Sequence, residues 1–267
     1  MLTGETLMRM KDISELAKNP NLISGIHNYC DRWCERCPFT ARCLVYATEE
    51  ADKDNDPGSR DISNAAFWQK LAAIFQETKE MISAWAEENG VDLSPVALTE
   101  VKEQKDRRRG QARNHPLARA AEEYARAVSQ WFEKEFPQME VFSDGAAKSD
   151  GRPEFDEEND YIEVIRWYQF FIAAKTIRGL LSRADEDEYL ADEDSRDSDG
   201  SIKVALIAID RSLSAWKLMG ELGHENSDSI HKMLLDLEKL RLSAESEFPR
   251  ARDFIRPGFD ENLDMLH

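Results

Sequence analysis

At 267 residues and 41% apolar composition, the chain is long enough to bury a full core in one large domain, or in one domain with an appendage. Its 53 acidic against 35 basic residues give a net charge of −18, which opposes nonspecific attraction to nucleic acid or to an anionic lipid surface. No uncharged run reaches the roughly 18 residues a membrane-spanning helix needs, and the opening MLTGETLMRMKDISELAK lacks the basic-then-apolar layout of a secretory leader, so the expected location is the cytoplasm.

In chain order, residues 1–48 hold a short helix around Lys11 to Lys18, a break at Asn19-Pro20, and then all four cysteines of the chain. Residues 49–60 are acidic and contain Pro57-Gly58, which predicts a linker. Helical periodicity then runs through residues 61–267. Phe67, Leu71, Ile74, Thr78, Met81 and Trp85 follow a 3-4 spacing that ends at Asn89-Gly90, a left-handed stop. Ser94-Pro95 opens a shorter helix toward Gln104, and Gly110 suggests a loop within the basic run Lys105 to Arg119. Pro116 starts the next helix, with Leu117, Ala121, Tyr124, Val128 and Trp131 on one stripe.

Asp160 to Arg183 is the most apolar stretch, so it is expected at the centre of the bundle, covered on most sides. The acidic stretch at about 185–199 reads as a disordered loop. Two more helices follow, over 201–220 and 227–246. Alternating apolar-polar runs with hairpin turns are absent. The predicted fold is therefore all-α, an antiparallel bundle of four to six helices with an N-terminal cysteine-rich metal-binding segment.

Cys30, Cys34, Cys37 and Cys43 fall in one fourteen-residue window, with spacing C-x3-C-x2-C-x4-C. Reducing conditions disfavour disulfides, and such clustering points to metal ligation. If the segment from Ile23 is helical, Cys30 and Cys34 share a face with Cβ atoms roughly 6 Å apart. Pro38 then turns the chain at Cys37 and lets Cys43 return. Tetrahedral zinc needs its sulfurs only about 3.8 Å apart. A four-iron cluster spreads its ligands more widely, so the spacing favours [4Fe-4S], with zinc as the alternative. Trp33 and Phe39 are expected to shield the site, and Arg32, Arg36 and Arg42 to offset its negative charge.

The run Cys34-Glu-Arg-Cys37-Pro-Phe-Thr-Ala-Arg-Cys43 resembles the closing part of the iron–sulfur loops in helix-hairpin-helix DNA glycosylases and RecB-like nucleases. The likeness covers about a dozen residues and implies a cluster. Neither the glycosylase Lys/Asp pattern nor the nuclease D…ExK strand pair accompanies it. NYCDRWCERCPFT also resembles the opening of uncharacterised bacterial proteins, a likeness that implies no activity. C-x3-C-x2-C is the spacing of radical S-adenosylmethionine enzymes too, but here Arg36 replaces the usual aromatic and a fourth cysteine lies near. Closed four-cysteine ligation suits electron transfer, redox sensing or a structural role.

Two other features carry a second meaning. Glu163, Asp210, His231 and Glu221-Leu-Gly-His224 raise a ferritin-like di-iron oxidoreductase, although that pattern needs two E-x-x-H pairs. Pairing of Glu163 and Asp210 with Arg166, Lys175 or Arg211 is the expected structural use. The basic run 105–119 lacks interleaved aromatics, so its expected partner is the chain's own acidic stretch rather than nucleic acid. No phosphate loop or nucleophile elbow is present, and no catalytic residue is assigned. The leading reading is a protein with one [4Fe-4S] cluster on Cys30, Cys34, Cys37 and Cys43 in a redox or structural role. A zinc-stabilised module that binds a protein partner comes second, and the di-iron oxidoreductase third.

Overall fold

The computed structural model describes residues 15–51, 61–135, 157–189, 196–221 and 227–260, and among these every regular element is helical. The α-helices are α1 (Leu44–Ala51), α2 (Ala65–Asn89), α3 (Pro95–Asn114), α4 (Pro116–Glu135), α5 (Glu157–Tyr189), α6 (Asp197–Glu221) and α7 (Ser227–Glu247). Short 3₁₀ turns occur at Ile26–Asn28, Cys34–Arg36, Thr40–Arg42 and Ala251–Asp253. No helix among the described residues is long and apolar enough to cross a membrane. Most of the proposed 49–60 linker, and the start of the expected first helix, lie outside the described residues.

The chain forms two compact units, one of Met1–Asp106 with Arg256–His267 and one of Arg107–Ile255. The second is a ring of four helices: α4 packs on α5, α5 on α6, α6 on α7, and α7 closes against α4. Matching side chains give the direction. Gly179 meets Ile202 while Tyr168 meets Arg211, so α5 and α6 run antiparallel. Likewise Gly220 meets Ile230 while Asp210 meets Arg241, so α6 and α7 do too.

The centre of this bundle is α6 rather than α5. Ile202, Leu206, Ile209, Trp216 and Met219 of α6 are fully buried, whereas Phe170 of α5 is 59% and Trp167 37% exposed. Apolar content alone misleads here, because α5 keeps part of its wide apolar face open. Trp216 stacks edge-on against Trp131, with ring centroids 4.9 Å apart, and its indole N–H donates to Tyr124 Oη at 3.0 Å. That hydrogen bond satisfies two polar groups that would otherwise be costly to bury. Burial pushes the Tyr124 phenol far above its ordinary range, against the opposing pull of the bond from Trp216. Gly179 sets the spacing of α5 and α6, since a Cβ there would stand 2.6 Å from Ile202 Cγ1.

One expected loop is helical, and the other is helical at its two described ends. α3 runs through Gly110, at a cost of roughly 1 kcal/mol relative to alanine, instead of ending near Gln104. The acidic stretch is helical at both ends, as far as Tyr189 and again from Asp197. Charge explains the second end: Asp197 and Asp199 sit in the first turn of α6, where acids complement the helix dipole. Arg178 and Ser182 also hold Asp197, at 2.9 and 2.7 Å. The basic run does meet acid within its own unit, where Arg108 pairs with Asp185.

Candidate metal centre

The cysteine segment is built from 3₁₀ turns and bends rather than an α-helix. Gly25, with φ 73°, leads into the turn Ile26–Asn28, and Cys30 lies beyond its end. The helical i,i+4 placement expected for Cys30 and Cys34 is therefore not adopted, because Cys34 begins a separate turn, Cys34–Arg36. The effect expected of Pro38 is present: Cys37 is extended, with φ −87° and ψ 124°. Its N–H donates to Cys34 O at 3.2 Å, which closes the Cys34-x2-Cys37 turn. In the following turn, Cys43 N–H donates to Thr40 O at 3.2 Å.

These turns bring the four cysteines around one cavity of about 20 Å³, room for roughly one water-sized body. Its other walls include His27, Arg32, Trp33, Tyr46 and Phe259. Within this unit Phe259 comes from the chain's end, and its ring meets Phe39 edge-on at 5.0 Å. The end is shaped for this by Arg256, whose guanidinium grips Asp260 at 2.9 and 3.1 Å and lies over the Phe259 ring. Gly258, at φ 75°, is needed twice over: a Cβ would stand 2.8 Å from Ile23 Cδ1, and L-residues avoid that backbone. Ile23 N–H donates to Arg42 O at 2.9 Å, and Arg42 Nε donates to Asn21 O at 3.2 Å, so the segment's two ends are tied.

The thiols are held in ways that matter for ligation. Phe39 N–H donates to Cys37 Sγ at 3.4 Å, a bond that favours the thiolate, and Cys30 Sγ–H donates to His27 O at 3.5 Å. Burial pushes Cys34 up to about 11, helped by Glu49, Cys30, Glu35 and Cys43. Cys37 is raised too, again by burial first, with the Phe39 N–H opposing and Cys30, Asp31 and Cys43 adding to the rise. For both Cys34 and Cys37 burial is the larger cause, and neighbouring acids and cysteines add to it.

Arg32 has φ 60°, the only non-glycine residue among those described in the left-handed region. Such backbone costs roughly 1–2 kcal/mol and concentrates at functional sites. Asp31 Oδ1 accepts from Trp33 N–H at 3.2 Å across this bend. Trp33 is buried and Arg36 stacks over its ring at 4.1 Å, so one arginine of the segment is engaged with an aromatic. His27 has its Nδ1 shut off from solvent and without a hydrogen-bond partner. Burial first, then the Arg32 charge, lowers its pKa.

Among the described residues no three His, Cys, Asp or Glu side chains are grouped closely enough to hold a metal ion. The di-iron candidates stay apart. Asp210 is gripped by Arg252, at 2.6 and 3.3 Å, not by the expected Arg211, which bonds Tyr168 instead. Glu163 and His231 are exposed, Arg166 stacks over Phe132 at 4.4 Å, and His224 lies outside the described residues.

Among the wall residues that sequence reasoning missed are His27, Tyr46 and Phe259. His27 had a signal, since it stands three residues before the first cysteine. Phe259 had none, because only the fold brings residues 256–260 to the cysteines. No protein family, curated protein or solved structure matches the chain.

Proposed function

We propose that the N-terminal unit binds one metal centre through Cys30, Cys34, Cys37 and Cys43, and that this centre is a [4Fe-4S] cluster in a redox or structural role. The observation that carries the reading is that every cysteine of the chain lies on one cavity. The buried, unpartnered His27 Nδ1 on that wall and the strained backbone of Arg32 support it, as both are costs a bound group would offset. The spacing and the local likeness to cluster loops favour iron–sulfur. Four thiolates would close the coordination sphere, leaving electron transfer or structural support as the chemistry.

Zinc is the second reading, favoured by a different observation. At about 20 Å³ the cavity has room for a single small ion, on which the cysteine side chains would have to converge. The helical placement of Cys30 and Cys34 that would have argued against zinc is also not adopted. In that case the unit is a protein-interaction module, and the zinc is its staple.

Anaerobic purification with a visible spectrum and metal analysis separates the two. The cluster reading expects four irons per chain and a broad absorbance near about 400 nm that dithionite bleaches, lost in Cys34→Ser. One zinc per chain in colourless protein would install the second reading. Metal-free protein after anaerobic reconstitution with iron, sulfide or zinc would overturn both.

A further inference from the structure

The helix α2 carries a pattern that the cysteine site does not use. Its apolar residues repeat as a heptad, with Phe67, Ile74 and Met81 at one core position and Leu71, Thr78 and Trp85 at the other. Trp68, Phe75 and Ile82 widen the seam along one side. A stripe of this kind normally faces another helix, yet Trp68 is 53%, Phe75 65% and Trp85 56% exposed. Among the described residues of its own unit, no helix packs along α2. The helix is nevertheless firmly bounded, by Asn64 accepting from Ala66 N–H at its start and by Gly90 at its end.

We propose that this seam is an antiparallel interface with α2 of a second copy of the chain. Two properties of α2 single out that occupant. The first is register: turned end for end, the heptad matches itself over its whole length. Phe67 then lies level with the second copy's Trp85, Leu71 with its Met81, and Ile74 with its Thr78. The flanking row matches as well, Trp68 facing Ile82 and Phe75 facing its own counterpart. Every core position but Ile74 finds an apolar partner, and Ile74 meets Thr78, the smallest residue of the seam, near the middle.

The second property is charge. Ala65 to Gln76 contains Lys70 and no acid, whereas Glu77 to Asn89 contains four glutamates against one lysine, a net −3. A parallel pair would stack acidic half on acidic half. The antiparallel pair sets each acidic half against the lysine-bearing half and opposes the two helix dipoles, which is the arrangement electrostatics prefers. The interface uses no cysteine and is independent of the metal reading.

Sedimentation equilibrium of the full chain tests the proposal with a complementary pair of variants. The wild type should dimerise. Leu71→Glu and Met81→Lys should each weaken the dimer on the order of 100-fold, because each places an unpaired charge in the seam. Met81 is exposed and Leu71 half-buried in the single chain, and far-UV circular dichroism should stay unchanged in both variants. Mixed in equal amounts, the two variants should dimerise again. The antiparallel register sets the new carboxylate of the Leu71→Glu chain against the new ammonium of the Met81→Lys chain, while the second Leu71–Met81 contact stays native. A wild type that remains monomeric at about 100 μM, a dimer indifferent to both variants, or a mixture that fails to re-form would each overturn the antiparallel self-pairing.

Discussion

In the bundle, Trp216, Tyr124, Tyr168 and Ile209 sink into a core that four helices close among themselves, whereas in the cysteine unit the buried apolar side chains among the described residues are Ile26, Trp33 and Ala86. Both regions bury a tryptophan, so the presence of an aromatic anchor alone does not distinguish them. The difference lies in what holds each together. Close-packed apolar surface stabilises the bundle outright. Around the cysteines the described structure consists of short turns tied by hydrogen bonds, one aromatic edge contact, arginines stacked on Trp33 and Phe259, and a strained residue, with little buried apolar surface beneath them.

The sharpest way to break the comparison is to remove the largest buried side chain of the bundle. Trp216→Ala deletes a ring that touches Trp131 and leaves Tyr124 Oη without its donor, so the bundle should lose about 4 kcal/mol. Denaturant melts should show this loss while the metal content of the cysteine unit is unchanged. A parallel loss of metal would mean that the two regions are not independently stabilised.

A smaller effect comes from pH. Buried Tyr124 has its phenol pKa raised in the folded state, so its neutral form is the one the core accepts. The unfolded chain gives up this proton near pH 10 while the folded one retains it, so stability is intact below that pH and falls above it. The expected slope is about 1.4 kcal/mol per pH unit above pH 10, and Tyr124→Phe should flatten it. An unchanged slope in Tyr124→Phe would show that other groups govern alkaline unfolding.

The smallest effect concerns the basic run. Arg108 pairs with Asp185, whose side chain is 58% exposed, so Arg108→Ala should cost only about 0.5 kcal/mol. A loss several times larger, read from the same denaturant melts, would indicate that the pair does more than neutralise neighbouring charge.

Much of this architecture was legible in the residues. The stripe from Leu117 to Trp131 is buried as its periodicity requires, and Asn89-Gly90 ends its helix with the left-handed geometry that glycine supplies. Pro38 extends Cys37 for a local steric reason, which is why it could be read. Several of the failures depend on partners distant in sequence. Asp185 and Asp197 read as loop residues until Arg108, Arg178 and Ser182 are seen to hold them in helices. Phe259 joins the cysteine cavity only because Gly258 lets the chain's end approach Ile23. The reverse case is α2, whose helix was plain from its spacing but whose apolar face has no cover among the described residues of its own unit.

Hydrogen exchange, compared between metal-replete and metal-depleted protein, tests most directly whether the cysteine unit depends on a bound group where the bundle depends on packing. On depletion, the turn amides of Asn28, Cys37 and Cys43, and the Ile23 amide that bonds Arg42, should lose protection together. Amides of α6 should be unaffected. Full protection of residues 23–43 in metal-free protein, with all four thiols open to alkylation, would contradict the account.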